Sequence, residues 1–247
     1  MPGRPLSVQL YSVRGAVADD LQGSLQRLAD IGFTNVELYG FVDKADQYAA
    51  ALEATGLSAP SAHAPVLQYD DPAPAFEAAK RLGVGTLIDP HHPREQWTTA
   101  DDVQRAAELM NRAAERASQA GLAFGYHNHW WELENRVDGT PALEVLAAEL
   151  SPEVVLEVDT FWASVGGVDA PDLLRRLGDR VQLIHVKDGP ISRDTRTQLP
   201  AGQGEVDVPA VLAAAPRAMR VLEFDDYDGD PFDGLAASFA WVSEHDR

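Results

Sequence analysis

Cysteine is absent from the 247 residues of the chain. That excludes disulfides and any metal centre built on thiolate, so a bound metal would have to use histidine, aspartate, glutamate and water. Positive charge is scarce. Against 39 aspartates and glutamates stand 20 lysines and arginines, for a formal charge of −19. Proteins that hold nucleic acid carry a basic footprint, so this balance speaks against DNA or RNA as the main partner. The acidic excess reads first as a soluble surface. Long hydrophobic runs are missing as well. With no stretch of about 18 apolar residues, no membrane-spanning helix is expected. The opening MPGRPLSVQLYSVR has no apolar core of the signal-peptide kind. These absences together predict a cytoplasmic protein. Neither GxGxxG nor GxxxxGKS/T occurs, which counts against a dinucleotide-binding or P-loop fold.

What the chain does contain is an alternation. Strand-like stretches are expected at Leu6–Leu10, Asn35–Leu38, Ser58–Ala62, Thr86–Ile88, Ala123–His127, Val154–Val158, Gln182–Val186 and Val221–Phe224. Several are nearly continuous apolar runs, as buried parallel strands require. Amphipathic stretches fall between them at Asp20–Asp30, Lys44–Ala54, Pro74–Arg81, Asp101–Gln119, Pro141–Leu150, Pro171–Leu177, Pro209–Ala214 and Gly234–His245. Asp19-Asp20, Thr99 and Thr140 supply helix-capping side chains, and Gly32, Gly56, Gly83, Gly121 and Gly178 follow helix ends. Such a repeat of strand and helix implies a closed sheet rather than an open one. A (β/α)8 barrel of the TIM type takes roughly 250 residues. The expectation is therefore one α/β domain, a single (β/α)8 TIM barrel spanning residues 1–247.

Six of the seven histidines stand at or just past the ends of these strands. They are His63, His91, His92, His127, His129 and His185; only His245 lies elsewhere. In a barrel the C-terminal strand ends meet at one mouth, where the chemistry takes place. Imidazole is also the commonest metal ligand and titrates near neutral pH. Four consecutive strands, the fifth to the eighth, run out on polar residues: His127, Asp159, His185 with Lys187 and Asp188, and Glu223. Any one of these alone would read as a helix cap or a loop contact. Converging from adjacent strands, His127, Asp159, His185 and Glu223 form a ligand set for one divalent metal ion, with Mn, Co, Fe, Zn and Mg all compatible. Glu157, two residues before Asp159, should share its face one layer deeper. It is read as a partner of His185 or Lys187 and not as a metal ligand. Lys187 is read as a substrate contact or proton donor.

Trp97, Trp130, Trp131 and Trp162 also follow strand ends. Aromatic faces there suit the C–H faces of a sugar, or simply close the barrel top. Trp130 and Trp162, with His63 and His129, are the expected substrate contacts. The segment 189–207, GPISRDTRTQLPAGQGEVD, is long enough to be a binding loop. Its Gly202 and Gly204 could shape an anion-binding turn beside Arg193 or Arg196; plain surface mobility is the other reading.

The same residues resemble the sugar phosphate isomerase/epimerase superfamily of xylose-isomerase-like TIM barrels. The resemblance runs along the whole chain through SVQLYSVR, GFTNVELYG, SAHAP, YHNHWWE, DTFWASVGGVD, HVKD, PAGQGEVD and LEFDDYD. It implies a divalent metal held by Glu, Asp, His and Glu from strands five to eight. Asp159, His185 and Glu223 match the last three positions, whereas the first is His127 in the run His127-Asn128-His129. In many such proteins the glutamates of strands five and eight form the acid/base pair that moves a proton beside a carbonyl, and here one of the two is missing. The YHNH form looks closer to inosose-dehydratase-like branches, and Glu132 is a substitute carboxylate.

The resulting expectation is a metal-dependent isomerase, epimerase or dehydratase. It would take a proton from the carbon beside the carbonyl of a small carbohydrate, keto-sugar or inosose. Glu223, His127, Glu132 and Lys187 are the expected catalytic residues. Two other readings stay open: an endonuclease barrel of the apurinic-site type, and a sugar-binding barrel without catalysis. A homo-oligomer is left open.

Overall fold

The computed structural model describes residues 5–246. Eight parallel strands form one sheet: β1 Leu6–Val8, β2 Asn35–Tyr39, β3 Ser58–His63, β4 Thr86–Asp89, β5 Ala123–His127, β6 Val154–Asp159, β7 Val181–Val186 and β8 Met219–Leu222. Each pairs with its neighbours in chain order, and β8 returns to β1 through Leu6–Arg220, Ser7–Val221 and Val8–Leu222. The bridge between Gln9 and Glu37 joins β1 to β2 and closes the ring. This is the (β/α)8 barrel that the alternating pattern predicts.

The helices run between the strands as α1 Leu21–Ile31, α2 Ala45–Thr55, α3 Ala73–Arg81, α4 Ala100–Gln119, α5 Ala142–Glu149, α6 Ala170–Leu177, α7 Val208–Ala214 and α8 Pro231–His245. The longest, α4, shows how the sequence sets such a helix. Thr99 and Asp102 form a reciprocal capping box that satisfies its first amides. Val103, Ala106, Ala107, Met110, Ala113, Ala114 and Ala117 then recur every three or four residues and are buried as one stripe. Thr140 does not cap α5 as its position suggested. Pro141 precedes that helix without a side-chain cap, and Thr140 belongs to a two-residue antiparallel ladder with Val137. The structure also has short helices at Arg14–Asp19, Trp131–Glu134 and Thr160–Val165. They are too brief to show a helical period in the sequence.

The strand interior explains where the site sits. Alternate residues of a strand share a face, and three strands make the same transition along that face. β6 runs Val155, Glu157, Asp159; β7 runs Leu183, His185, then Lys187 just beyond its end; β8 runs Met219, Val221, then Glu223. The lower layer is apolar: Ile88, Leu183 and Val221 are buried together, with Val155 and Met219 packed on them. Gly125 belongs to this layer. A Cβ there would lie 2.6 Å from Ile88 Cδ1 and 2.9 Å from Val155 Cγ2. Above the apolar plug the barrel interior turns polar, and that is where chemistry becomes available.

Candidate active site

Two polar tiers sit above the apolar layer. In the lower one, Glu37 of β2 and Glu157 of β6 are fully buried. Glu157 Oε2 lies 2.5 Å from His63 Nε2, 3.0 Å from His127 Nδ1 and 3.2 Å from His185 Nε2. Glu37 Oε1 lies 2.9 Å from His185 Nε2 and 3.1 Å from His63 Nε2, and accepts from Gln9 Nε2 at 2.8 Å. An ionised carboxylate only accepts hydrogen bonds, so the imidazole nitrogens that face these oxygens carry protons. Burial alone would neutralise the ions, but opposite charges outweigh it. Against that penalty, Glu37 and Glu157 push His63 up to about 10. Burial and Glu37 would raise Glu157, yet His185 and His63 bring it down to about 2.

The upper tier holds Asp159, Glu223 and Lys187. Lys187 is 2% exposed. Its ammonium lies 2.6 Å from Glu223 Oε2 and 2.8 Å from both Asp159 Oδ2 and Asp225 Oδ2. Of the three, only the contact with Asp225 has the angles of a hydrogen bond. Asp159 Oδ2 is therefore close to a cation yet has no hydrogen-bond partner. Burial raises Asp159 to about 6 despite Lys187. Burial would raise Glu223 too, but Lys187 and His185 hold it well below the usual carboxylate range, so it is ionised.

Two histidines connect the tiers. His127 turns Nδ1 down to Glu157, and its Nε2 lies 3.8 Å from Asp159 Oδ2. His185 turns Nε2 down to Glu37 and Glu157, and its Nδ1 lies 2.6 Å from Glu223 Oε2. With both nitrogens on carboxylates, His185 is raised well above the usual value by Glu157 and Glu223 in spite of burial; a metal taken up at Nδ1 would displace the proton there and leave Nε2–H on Glu37 and Glu157. His127 is held neutral by burial and by the charge of His185.

This arrangement fits a divalent metal. Metal-binding histidines characteristically give their other N–H to a carboxylate, and Glu157 and Glu37 hold His127 and His185 in that way. Asp159, His185 and Glu223 bring one donor atom each within 4.8 Å of one another. Asp159 Oδ2, on the Lys187 ammonium, is the carboxylate oxygen nearest His127 Nε2. Lys187 has Asp225 as a partner outside this donor set. A second group, His63, His127, Glu157 and His185, meets the same spacing one layer lower.

The cavity over this centre has a volume of about 230 Å³. That is below the roughly 300–1,000 Å³ of drug-sized ligand sites and suits a monosaccharide-sized ring. Its lining includes Tyr11, Tyr39, His63, His91, His127 and His129, with the carboxylates of Glu223 and Asp225. The rings of Tyr11 and Tyr39 meet edge to face, with centroids 4.9 Å apart.

The expected residues thus separate into those at the cavity and those behind it. His63, His127, His129 and Glu223 line it, and Asp159, His185 and Lys187 lie just beneath. Trp130 and Trp162 do not line it. Trp130 is a buried platform for two guanidinium groups, Arg94 at 4.2 Å and Arg193 at 3.5 Å from its ring centre. Trp162 is buried in the short helix capped by Asp159 Oδ1, which accepts from its backbone N–H at 2.9 Å. Glu132 is fully buried and is not among the residues that line the cavity. It accepts from Tyr126 Oη at 2.7 Å and from the His129 N–H at 2.9 Å, and burial pushes it up to about 8. It therefore holds His129 in place. Glu157 pairs with His185 as read from the sequence, and with His63 and His127, but Lys187 pairs with Asp159, Glu223 and Asp225.

Several functional positions escape a reading of strand ends. Glu37, Gln9, Asp225, Tyr11 and Tyr39 belong to this group. Glu37 had a signal: a carboxylate inside an apolar parallel strand has to face something polar. Asp225 did not, since it is one of two adjacent aspartates and only the fold turns it toward Lys187.

Comparison with known proteins agrees with this architecture. The profile of the xylose isomerase-like TIM barrel family matches residues 25–242. A sugar phosphate isomerase/epimerase from Parabacteroides distasonis superposes with a TM-score of 0.79 at 26% identity, covering 98% of this chain and 94% of that one. The zinc-bound IOLI protein shares the fold, with a TM-score of 0.73 at 13% identity over 98% of both chains. An inosose dehydratase from Geobacillus kaustophilus is 30% identical over 112 residues, which are 43% of this chain and 35% of that protein. The match thus spans about a third of this curated relative's length.

Proposed function

The chain belongs to the xylose isomerase-like TIM barrel family, and within it we propose a metal-dependent enzyme that isomerises, epimerises or dehydrates a small keto-sugar or inosose. The observation that carries this reading is the upper tier: ionised Glu223 and buried Asp159, ion-paired with Lys187, beside His127 and His185, under a monosaccharide-sized cavity. Asp159, His185 and Glu223, with His127 as fourth donor, would hold one divalent metal ion. A metal so held supplies Lewis acidity that polarises a carbonyl and favours loss of the neighbouring proton.

The chain's own groups do the rest. Glu223 starts ionised, the form a general base needs, and its carboxylate lines the cavity. It takes the proton from the carbon beside the carbonyl. His127, neutral, turns Nε2 upward, where it serves either as the fourth metal donor or, with three donors holding the metal, as a proton carrier on the same side. Lys187 keeps its proton and, beneath the cavity, balances the charge of Asp159, Glu223 and Asp225. His63 and His129 contact substrate hydroxyls. Glu132 acts through His129. The proton that Glu223 takes up has two outcomes: returned to carbon, it completes an isomerisation or epimerisation and exchanges with solvent on the way; passed to a departing hydroxyl, it leaves with it as water and completes a dehydration.

The test is a turnover screen of keto-sugars and inososes with and without added Mn²⁺, following both epimerised and dehydrated products. Metal-stimulated conversion of at least one is expected. No conversion of any, with ligand binding intact, would favour a barrel that binds sugars without acting on them.

A further inference from the structure

We infer that Arg193 is a positioning residue for His129, acting through the paired rings of Trp130 and Trp131. This rests on the reading of His129 as a substrate contact and names what holds its ring in place.

His129 lines the cavity, and its backbone is fixed, since its N–H donates to Glu132 Oε2 at 2.9 Å. Its ring is held differently. Nδ1 is buried without a hydrogen-bond partner, so the ring takes its direction from what it packs on. That is Trp131, stacked on it with centroids 4.3 Å apart and an interplanar angle of 6°. His91, another lining residue, meets Trp131 edge to face at 5.9 Å. Trp131 Nε1 is buried without a partner as well. Trp131 leans in turn on Trp130, edge to face at 5.6 Å. Trp130 is the ring of this row that is gripped from elsewhere. Arg94, just after β4, and Arg193, after β7, place their guanidinium carbons 4.2 Å and 3.5 Å from its centre. Both lie within cation–π range. Arg193 is the closer, and it also pairs with Glu134. That ion pair is half exposed and weak by itself. Trp130 is buried, so the stack is the stronger contact.

The loop that carries Arg193 is tied down at its base and on both sides. At the base, Asp188 Oδ2 accepts from Gly202 N at 2.8 Å and Gly204 N at 3.0 Å, and Oδ1 accepts from Gly189 N at 2.8 Å and Val206 N at 3.1 Å. The glycine turn expected to take an outside anion is thus filled from within, and Arg196 is engaged by Asp194. On one side, Gln198 Nε2 donates to Asp225 Oδ2 at 2.7 Å, and Gln198 Oε1 accepts from Asp225 N at 2.8 Å. On the other, Arg193 reaches Trp130 and Glu134. Residues 193–198 therefore span the rim from the segment after β5 to the segment after β8. Both ties end at the cavity: Asp225 lines it, and Trp130 adjoins His129, which lines it too.

The experiment has two arms. The first reads the ring itself and needs no turnover. Histidine-ring NMR is recorded on the full chain stripped of paramagnetic ions, with His129→Gln identifying the signal. In wild type the stack on Trp131 should displace the His129 ring resonance upfield. In Arg193→Ala it should move downfield, toward the unstacked position, whereas Glu134→Gln, which spares the stack, should leave it near wild type. Arg193 is half exposed, so Tm should stay close to wild type. If Tm falls and every histidine signal moves, Arg193→Gln is read in its place. A His129 signal that does not move, or that moves equally in Glu134→Gln, would overturn the inference. The second arm uses a substrate from the turnover screen. Arg193→Ala should raise KM by about tenfold, the scale of a cation–π contact on a buried ring. With kcat little changed, that is the pattern of binding lost equally from ground and transition states. In a His129→Gln background the same substitution should raise KM no further. An unchanged KM, a fall in kcat in its place, or an equal rise in both backgrounds would overturn the inference. Absence of all turnover would refute the functional reading and leave the first arm to decide this one.

Discussion

His127 places Nδ1 3.0 Å from Glu157 Oε2 and thereby turns Nε2 toward Asp159 Oδ2, 3.8 Å away. A buried carboxylate in the lower tier thus decides which nitrogen reaches the upper one. His185 is held in the same way by Glu37 and Glu157. The deep carboxylates would in this way orient the proposed metal ligands without themselves touching the metal. Glu157→Gln tests this, because it keeps the shape and removes the charge. Metal affinity should fall by about 10–100-fold, the scale typical of losing an outer partner, when measured by competition with a chelator. Unchanged affinity would mean that the lower tier is only structural.

The same tier makes stability depend on pH. The folded protein raises His63 to about 10, from roughly 6.5 in an unfolded chain. Its protonated form is the one favoured by folding. The stability it contributes is complete below about pH 6.5 and is lost as pH rises toward about 10. The Tm gap between wild type and His63→Gln should therefore narrow steadily from pH 6 to pH 10. A gap that widens with pH would contradict the assigned charges.

Gly125 carries a different prediction, about packing beneath the site. An added methyl there would press on Ile88 and Val155 at 2.6 Å and 2.9 Å. Overpacking of this kind costs about 1–3 kcal/mol. Gly125→Ala should lower Tm by several degrees, given roughly 2–4 °C per kcal/mol for a domain of this size. An unchanged Tm in a thermal scan would show that the layer has room to spare.

The barrel was legible because its parallel strands are short apolar runs separated by well-marked helices, and most predicted boundaries lie within two residues of the observed ones. The eighth strand was placed too late, at Val221–Phe224 instead of Met219–Leu222, because Ala218 and Met219 carry no turn signal. The upper tier was legible too, since Asp159, His185 and Glu223 stand where apolar strands run out. The lower tier was harder. Glu37 and Glu157 lie inside strands, and their meaning depends on three histidines from three other strands. Trp130 and Trp162 misled because a tryptophan after a strand end has the same sequence signature whether its ring faces the cavity or packs behind it. The four amides that converge on Asp188 come from Gly189, Gly202, Gly204 and Val206, a loop closure that no local pattern encodes.

An endonuclease reading makes the opposite prediction about partners. With −19 formal charge and two carboxylates lining the cavity, DNA binding at physiological salt should be weaker than the roughly 10⁻⁴–10⁻⁶ M of ordinary non-specific binders. Metal-dependent incision of an abasic duplex would contradict the account.

The central claim is that Glu223 takes a proton from the carbon beside a carbonyl, and solvent exchange tests it most directly. With a substrate identified by the turnover screen, the wild-type enzyme in D₂O should place deuterium on that carbon. Glu223→Gln, examined in a preparation shown to hold metal, should lose the exchange by about the 10²–10⁴-fold expected for removing a general base. Exchange that survives in Glu223→Gln but disappears in His127→Ala would put the base on β5 and contradict the assignment.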